Sequence, residues 1–215
     1  MDFRHPLAVI TPTLDGDVLA RLALADAAFS AGQLRRLIPR ASVDGIRKVL
    51  KRLTAQGIVI ASPAGGAAVT YRLNREHLAA PAIIDLSDPA ATLRNRVTGL
   101  LRSWTHPPRY AALFGSSARD EAGTESDVDL FLIRPPATDD DLWDEQIASL
   151  ESSVTRWTGN DARALVVDEN DLPRREGDPV LRSVAREGIP VLGDVSWFRS
   201  AVRTRSHGEV ADAHE

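Results

Sequence analysis

The amino-acid sequence predicts an α+β protein in two parts: helices closed by a hairpin, then a small mixed sheet flanked by helices. Three observations carry this reading. Before residue 57, apolar residues recur at helical spacing in three segments, and two short strand-like runs around a Gly-rich turn follow. Beyond residue 108, one apolar run ending at Leu132-Ile133 and another ending at Val166-Val167 have the length of strands, and a long helical pattern separates them. Between the parts lies a stretch from Pro81 to Pro89, with a proline at each end. The expected division is a first domain over residues 1–80, a linker over 81–89, a second domain over 90–203 and a flexible tail over 204–215.

In the first part, Asp15 to Phe29 gives a helical pattern through Val18, Leu19, Leu22, Leu24 and Ala25. Ser30 is the expected N-cap of a second helix with Leu34, Leu37 and Ile38 on its buried stripe, ended by Pro39. Ser42 caps a third helix, in which Val43, Ile46, Val49, Leu50 and Leu53 share a face and Gly57 provides the stop. Ile58–Ala61, the turn Ser62-Pro63-Ala64-Gly65-Gly66 and Ala68–Leu73 then form a hairpin. Three helices and a hairpin in this order, with Leu53-x-x-x-Gly57-Ile58-Val59 and Tyr71-x-x-Asn74, resemble the winged helix-turn-helix of bacterial regulators. The resemblance implies that the third helix enters a DNA major groove. Ser42, Arg47, Lys48, Lys51 and Arg52 are the candidate DNA-binding residues, with Arg47 and Lys48 best placed.

Charge is segregated along the chain. The net charge is −4, yet Arg35 to Arg52 holds seven basic residues against the single acid Asp44, a local balance of 7 − 1 = +6. Asp139 to Glu151 holds six acids and no base, which reads as the solvated face of a helix. An exposed basic helix face also serves ordinary solubility, and winged helices also serve as protein-interaction modules. The wing tip at Gly65-Gly66 carries no Lys or Arg, while Arg72 and Arg75 lie at the base of the hairpin.

The second part should open with a helix from Ala90 to Trp104, followed by the strand that ends in Ala111-Ala112-Leu113-Phe114. A strand through Leu130–Ile133, an acidic helix from about Asp139 to Trp157, and a strand over Ala162–Val167 come next. Trp143 and Trp157 read as core residues of that helix. A short helix from Asp178 through Arg186 and an extended segment over Gly188–Gly193 close the domain, with an amphipathic turn over Trp197–Val202.

The most informative segment joins the first two strands, LFGSSARDEAGTESDVDL from Leu113 to Leu130. Asp127 and Asp129 alternate along a strand, so both project from one face, roughly 6–7 Å apart. Carboxylates so placed repel each other unless a hard cation lies between them, and Mg²⁺ takes a few carboxylate oxygens together with substrate phosphates. Gly115 allows close approach of the backbone, and Ser116 offers a hydroxyl and an N–H to phosphate oxygens. These features read as a nucleoside-triphosphate site, with Asp127 and Asp129 as candidate metal ligands.

Gly115-Ser116, ten residues and Asp127-Val128-Asp129 resemble the DNA polymerase β-like nucleotidyltransferase superfamily, in particular its minimal prokaryotic members. Arg119, Ser126 and Leu130 also fall where such proteins carry Arg, Ser and Leu, whereas Asp120 stands where glycine is common. The resemblance implies transfer of a nucleoside monophosphate to a hydroxyl, with Mg²⁺ as cofactor and with Gly115, Ser116 and Arg119 on the nucleotide. It also implies a third carboxylate, from a later strand, acting as base. Asp161 and Asp168 stand at opposite ends of Ala162–Val167 and on opposite faces, while the strand's centre is Ala164-Leu165-Val166. Asp161 is the expected base; a site with no third acid, binding nucleotide and transferring it poorly, is the alternative.

Composition excludes several classes. The chain of 215 residues has no cysteine, which removes disulfides, thiolate nucleophiles and Cys-based zinc sites and fits a cytoplasmic protein. Its five histidines have no metal-ligand spacing. No run approaches the ~18 apolar residues of a membrane span, and the N-terminus lacks a signal-peptide layout. The expected partners are a nucleoside triphosphate and DNA, with no membrane. Small regulators act as dimers on palindromic sites, so a homodimer is within the expectation.

Overall fold

A computed structural model describes residues 1–115, 126–175 and 177–203 of the chain, which divides after Thr92 into two units. Polar caps and apolar stripes build the first. A 3-10 turn at Pro6–Val9 precedes α1 (Leu14–Leu24), β1 (Phe29–Ser30), α2 (Ala31–Leu37) and α3 (Val43–Ala55). The strands β2 (Val59–Pro63) and β3 (Val69–Leu73) and the helix α4 (Ala80–Ser87) complete it. Ser30 and Gln33 form a reciprocal cap: the Ser30 hydroxyl accepts from the Gln33 N–H at 3.2 Å, and the Gln33 side chain accepts from the Ser30 N–H at 2.7 Å. The Ser42 hydroxyl accepts from Gly45 N–H at 3.0 Å at the start of α3. Val18, Leu22, Leu34, Ile46 and Leu50 are fully enclosed in one core with Val59 and Leu73 of the hairpin.

Two expectations for this unit need correction. The first helix stops at Leu24 rather than Phe29, and Phe29-Ser30 pairs with Tyr71-Thr70 as an edge strand, giving the order β1-β3-β2. The alanines at 25, 27 and 28 suit a helix, but cross-strand pairing of Phe29 with Tyr71 outweighs that local preference. Residues 81–89, expected as a linker, instead hold most of α4, whose Ile83, Ile84 and Leu86 pack on the core. Pro81 falls in the first turn of that helix, where its missing N–H leaves no bond unmade, so it begins the helix instead of breaking it.

The second unit is a mixed α+β assembly. The helix α5 (Pro89–Arg102) leads to β4 (Tyr110–Phe114) and β5 (Val128–Arg134). They are followed by α6 (Asp140–Thr158), β6 (Ala162–Asp168), a 3-10 segment at Glu169–Arg175, α7 (Pro179–Glu187), β7 (Ile189–Leu192) and α8 (Val195–Arg203). The sheet order is β6-β5-β4-β7, with β4 antiparallel to both β5 and β7 and with β5 parallel to β6. Phe131, Ile133, Tyr110, Ala112 and Val167 share one face, which Leu172, Leu181, Val184 and Phe198 cover. There Phe198 stacks on Tyr110 with centroids 4.4 Å apart and leans on Phe131 at 5.4 Å. Leu113, Leu130 and Leu132 are buried on the opposite face.

The helix α6 does more than present a solvated face. Its Asp139 cap accepts from Leu142 N–H at 2.9 Å, and Asp140 pairs with Arg134. The Glu151 carboxylate accepts from Ala164 N–H at 2.7 Å, and the Thr155 hydroxyl accepts from Ala162 N–H at 3.1 Å. Both bonds cover donors of β6, an edge strand, and so close an edge open to unwanted strand pairing. Trp143 is buried as expected and meets Trp104 edge-on at 5.4 Å. Trp157 is half-buried, with Arg96 5.7 Å from its ring centre.

Removal of Phe198 opens the covered face of the sheet. We expect Phe198→Ala to lower the unfolding free energy of this unit by about 3–5 kcal/mol in a urea titration, the range for a large buried aromatic. A loss below about 1 kcal/mol would mean that α8 does not hold this core.

Candidate functional site

The ends of β4 and β5 bring the motif together. Phe114 lies opposite Asp129 in the antiparallel pair, so Gly115, the next residue, comes against the Asp129 carboxylate. Gly115 has φ +68°, and a Cβ there would stand 2.4 Å from Asp129 Oδ2. The left-handed backbone favours glycine, and a Cβ would in addition have to push the Asp129 carboxylate aside. Asp127 and Asp129 share the face that continues through Phe131 and Ile133 into the core, and both are half-buried. Burial first, and then the neighbouring Asp127 charge, push the Asp129 carboxyl above the usual aspartate range; Arg163 opposes them.

Strand β6 supplies the rest. The parallel register puts Arg163 beside Asp129 and Ala162 beside Val128, and the Asp161 carbonyl accepts from Val128 N–H at 2.7 Å. Arg163 Nη1 lies 3.0 Å from Asp127 Oδ2. The strand neighbour of the Asp-x-Asp pair thus presents a guanidinium level with Asp129. Asp161 stands one residue before the Val128–Ala162 pair, with its side chain exposed. The buried Asn160 donates from Nδ2 to the Ser126 carbonyl at 2.7 Å and anchors the entry to β5 just before Asp127.

Asp168 is remote. It pairs in register with Arg134, five residues beyond Asp129 on β5 and so about 16 Å along the strand. Its carboxylate lies 3.9 Å from Arg134 Nε, and Arg134 also donates to the Thr138 carbonyl at 2.7 Å. The Asp140 carboxylate beside it is the main cause of a raised Arg134 pKa. A cleft of about 210 Å³ lies at this end, lined by Arg134, Pro136, Thr138 and Asn170, and contains none of the motif residues.

Of the expected nucleotide and metal residues, Gly115, Asp127 and Asp129 are therefore close together. Ser116 and Arg119 lie outside the described residues. Two relevant side chains were not legible as such in the sequence. Asn160 follows Gly159 as part of an ordinary helix stop, and the facing of Arg163 and Asp127 depends on a strand register that no local pattern encodes. Among the described residues no group of three His, Asp or Glu side chains is placed to hold a metal ion. The two aspartates are hard oxygen donors of the kind a divalent cation takes, and their mutual repulsion favours one.

In the first unit, the candidate DNA residues lie on or beside α3. Ser42 is its cap; Arg47 and Asp44 form an exposed pair at 3.0 Å; Lys48 and Lys51 are exposed. Arg52 is tied to Asp15 of α1, and Arg75 to Asp26 at 3.2 Å. At the tip of the hairpin, Gly65 and Gly66 have positive φ and open space around them.

Residues 100–172 match a family model described as a nucleotidyltransferase domain, and this stretch includes β4, β5, α6, β6 and both aspartates. The expected nucleotidyltransferase domain is present to that extent. No curated protein matches the chain. Among solved structures, a toxin–antitoxin complex with AMP-PNP aligns at 18% identity and TM-score 0.38, over 51% of this chain and 80% of that one. The tri-AMPylated Shewanella oneidensis HEPN toxin in complex with MNT antitoxin aligns at 15% identity and TM-score 0.37, over 53% and 80%. A MntA–HepT toxin–antitoxin structure aligns at 17% identity and TM-score 0.35, over 52% and 80%. Likenesses this low bear on neither substrate nor partner.

Two outcomes follow from the geometry. Gly115→Ala should displace the Asp129 carboxylate and lower the melting temperature, because both the backbone and the contact oppose a Cβ. An unchanged melting temperature would contradict the close approach. Asp129→Asn should raise the melting temperature at pH 7, since it removes a charge disfavoured by burial and by Asp127. The raised pKa means that ionisation costs the folded state stability, and this cost shrinks as pH falls through the raised value and is gone below the ordinary aspartate range. The gain over wild type should therefore shrink across that range in thermal melts; a gain constant from pH 7 to pH 3 would contradict the account.

Proposed function

We propose that the chain joins a DNA-binding winged helix-turn-helix to a nucleotidyltransferase that binds a nucleoside triphosphate and transfers its nucleoside monophosphate to a hydroxyl. The observation that carries the enzymatic half is the pair Asp127 and Asp129 on one strand face against a left-handed Gly115, within the matched residues 100–172. Asp127 and Asp129 would hold Mg²⁺, which supplies charge neutralisation and alignment of phosphates when bound. Gly115, Ser116 and Arg119 bind and orient the triphosphate, with backbone N–H, hydroxyl and guanidinium as donors to phosphate oxygens. The acceptor oxygen attacks the α-phosphorus, the bond to the bridging oxygen breaks, and pyrophosphate leaves. Asp161, next to the Val128–Ala162 pair and open to solvent, is the carboxylate we assign as base for the acceptor proton.

A second reading is favoured by one observation: a guanidinium, not a carboxylate, stands level with Asp129 on β6. In that reading the domain binds nucleotide and transfers it poorly, serving as a sensor or an assembly element. Asp161→Asn separates the two. Under the enzymatic reading it abolishes transfer and leaves nucleotide affinity nearly intact, because the amide cannot accept a proton. Under the second, wild type and variant are equally inert. Robust transfer by both would remove Asp161 as the base.

Metal-dependent binding tests the site itself. Asp127→Ala with Asp129→Ala should weaken Mg²⁺-dependent triphosphate binding at least tenfold, ~1.4 kcal/mol, in calorimetry. Unchanged affinity in a folded double variant contradicts the assignment.

For the first unit, the support is three helices, a hairpin with a third short strand, and the exposed Arg47, Lys48 and Lys51 on α3. DNA binding should be salt-sensitive, and Arg47→Ala with Lys48→Ala should reduce the slope of log K against log salt by about one unit per lost phosphate contact. An unchanged slope contradicts a DNA role for these residues. A cytoplasmic homodimer on a palindromic site is the arrangement we propose for this regulator-like unit. Among the described residues no helix is long and apolar enough to cross a membrane.

A further inference from the structure

Burying a polar side chain is costly unless its donors and acceptors are met, and the turn between α6 and β6 buries two of them. Thr158 and Asn160, on either side of the left-handed Gly159, are both enclosed. The Thr158 hydroxyl donates to the Val154 carbonyl at 2.8 Å and accepts from the Asn160 N–H at 3.1 Å, which seats Asn160 on the last turn of the helix. From that seat its Nδ2 reaches the Ser126 carbonyl at 2.7 Å. Gly159 already closes α6 through its N–H to the Thr155 carbonyl at 2.7 Å, so the helix stop does not require the Asn160 amide. The next residue, Asp161, accepts from Val128 N–H through its own carbonyl, also at 2.7 Å. These two bonds fall on the peptide groups immediately before and after Asp127. A residue's backbone has two soft dihedrals, and both are confined once the peptide planes on either side are held. The Cα–Cβ direction of Asp127 is thus set from the start of β6, by one side-chain amide and one backbone carbonyl.

We propose that Asn160 is a positioning residue for the divalent cation: it aims the Asp127 carboxylate by holding the peptide group that precedes it. This rests on the nucleotidyltransferase reading of the site and adds to it a residue that acts on the metal through a ligand. A carboxylate whose backbone is confined beforehand gives up less freedom when it takes a metal ion, and it therefore binds the ion more tightly. Only the nitrogen end of an amide can face a carbonyl, so the donor is what this position needs. The same turn carries Asp161, the residue we assign as base, and so ties it to the strand of the metal ligands.

The test uses the full chain and measures, by calorimetry, affinity for the Mn²⁺ complex of a non-hydrolysable ATP analogue and for the same analogue in EDTA. Every protein is measured well below its own melting temperature. Asn160→Ala should bind the Mn²⁺ complex about tenfold more weakly than wild type and the metal-free analogue as wild type does. Phe198→Ala, which weakens the same unit away from the site, should keep the wild-type affinity for the Mn²⁺ complex. A loss equal with and without metal, or shared in full by Phe198→Ala, makes Asn160 a purely structural residue and overturns the inference. If Asn160→Ala does not fold, Thr158→Val takes its place, since it removes only the hydroxyl that seats Asn160. A loss of about threefold confined to the Mn²⁺ complex then supports the inference, and unchanged affinity overturns it. Equal affinity of wild type and folded Asn160→Ala for the Mn²⁺ complex overturns the inference alone. Failure of wild type to bind any nucleoside triphosphate with either Mg²⁺ or Mn²⁺ overturns the nucleotidyltransferase reading and the inference with it.

Discussion

Repulsion between two half-buried carboxylates on one strand face is the constraint around which the second unit is arranged. Asp127 and Asp129 cannot move apart, because Val128 between them is buried and Phe131 and Ile133 beyond them lie within the core. The backbone of β4 presses on the same charge from the other side, where Gly115 leaves no room for a Cβ beside Asp129. Asn160 fixes the start of β5, and the Asp161 carbonyl holds its first N–H. The aromatic stack of Tyr110, Phe131 and Phe198 makes the platform rigid at the far side. A fold that spends stability to hold like charges together is common where those charges have a task.

Arg163 changes how that charge is balanced. With a carboxylate at its level, the site would hold three negative groups and attract a cation whether or not nucleotide were present. With a guanidinium there, a positive group faces the two aspartates from the neighbouring strand. The covering of β6 by Glu151 and Thr155 serves the same end, because an edge strand held in register keeps Arg163 beside Asp129.

Elements with a strong local signature were legible from residues alone. The Ser30 cap, the Ser42 cap, the apolar stripe of α3 and the turn at Gly57 all lie within four residues of the partner that gives them meaning, whereas the return bond from Gln33 that completes the Ser30 cap was not read from the sequence. The motif strands were legible because Leu130–Ile133 is a buried run beside alternating acids. What depended on distant pairing was not. A two-residue strand such as β1 has no periodicity, and it exists only because Tyr71 is available. The expected linker failed for a related reason: Pro81 breaks a helix interior but favours a first turn, and only the packing of Ile83, Ile84 and Leu86 shows which applies. Asp161 and Arg163 could be placed on one face by alternation, while their levels beside Val128 and Asp129 came from a parallel register set across thirty residues of intervening chain.

The central claim is that Asp127, Asp129 and the turn at Gly115 serve transfer of a nucleoside monophosphate. The most direct measurement supplies nucleoside triphosphates labelled in turn at the α-phosphate and at the γ-phosphate, with Mg²⁺, to the purified protein and a lysate of its host. The account predicts label on an acceptor from the α position of at least one nucleotide, none from the γ position, and loss of that label in the Asp127→Ala, Asp129→Ala protein. Label arriving from the γ position, or none from the α position of any nucleotide, would contradict it.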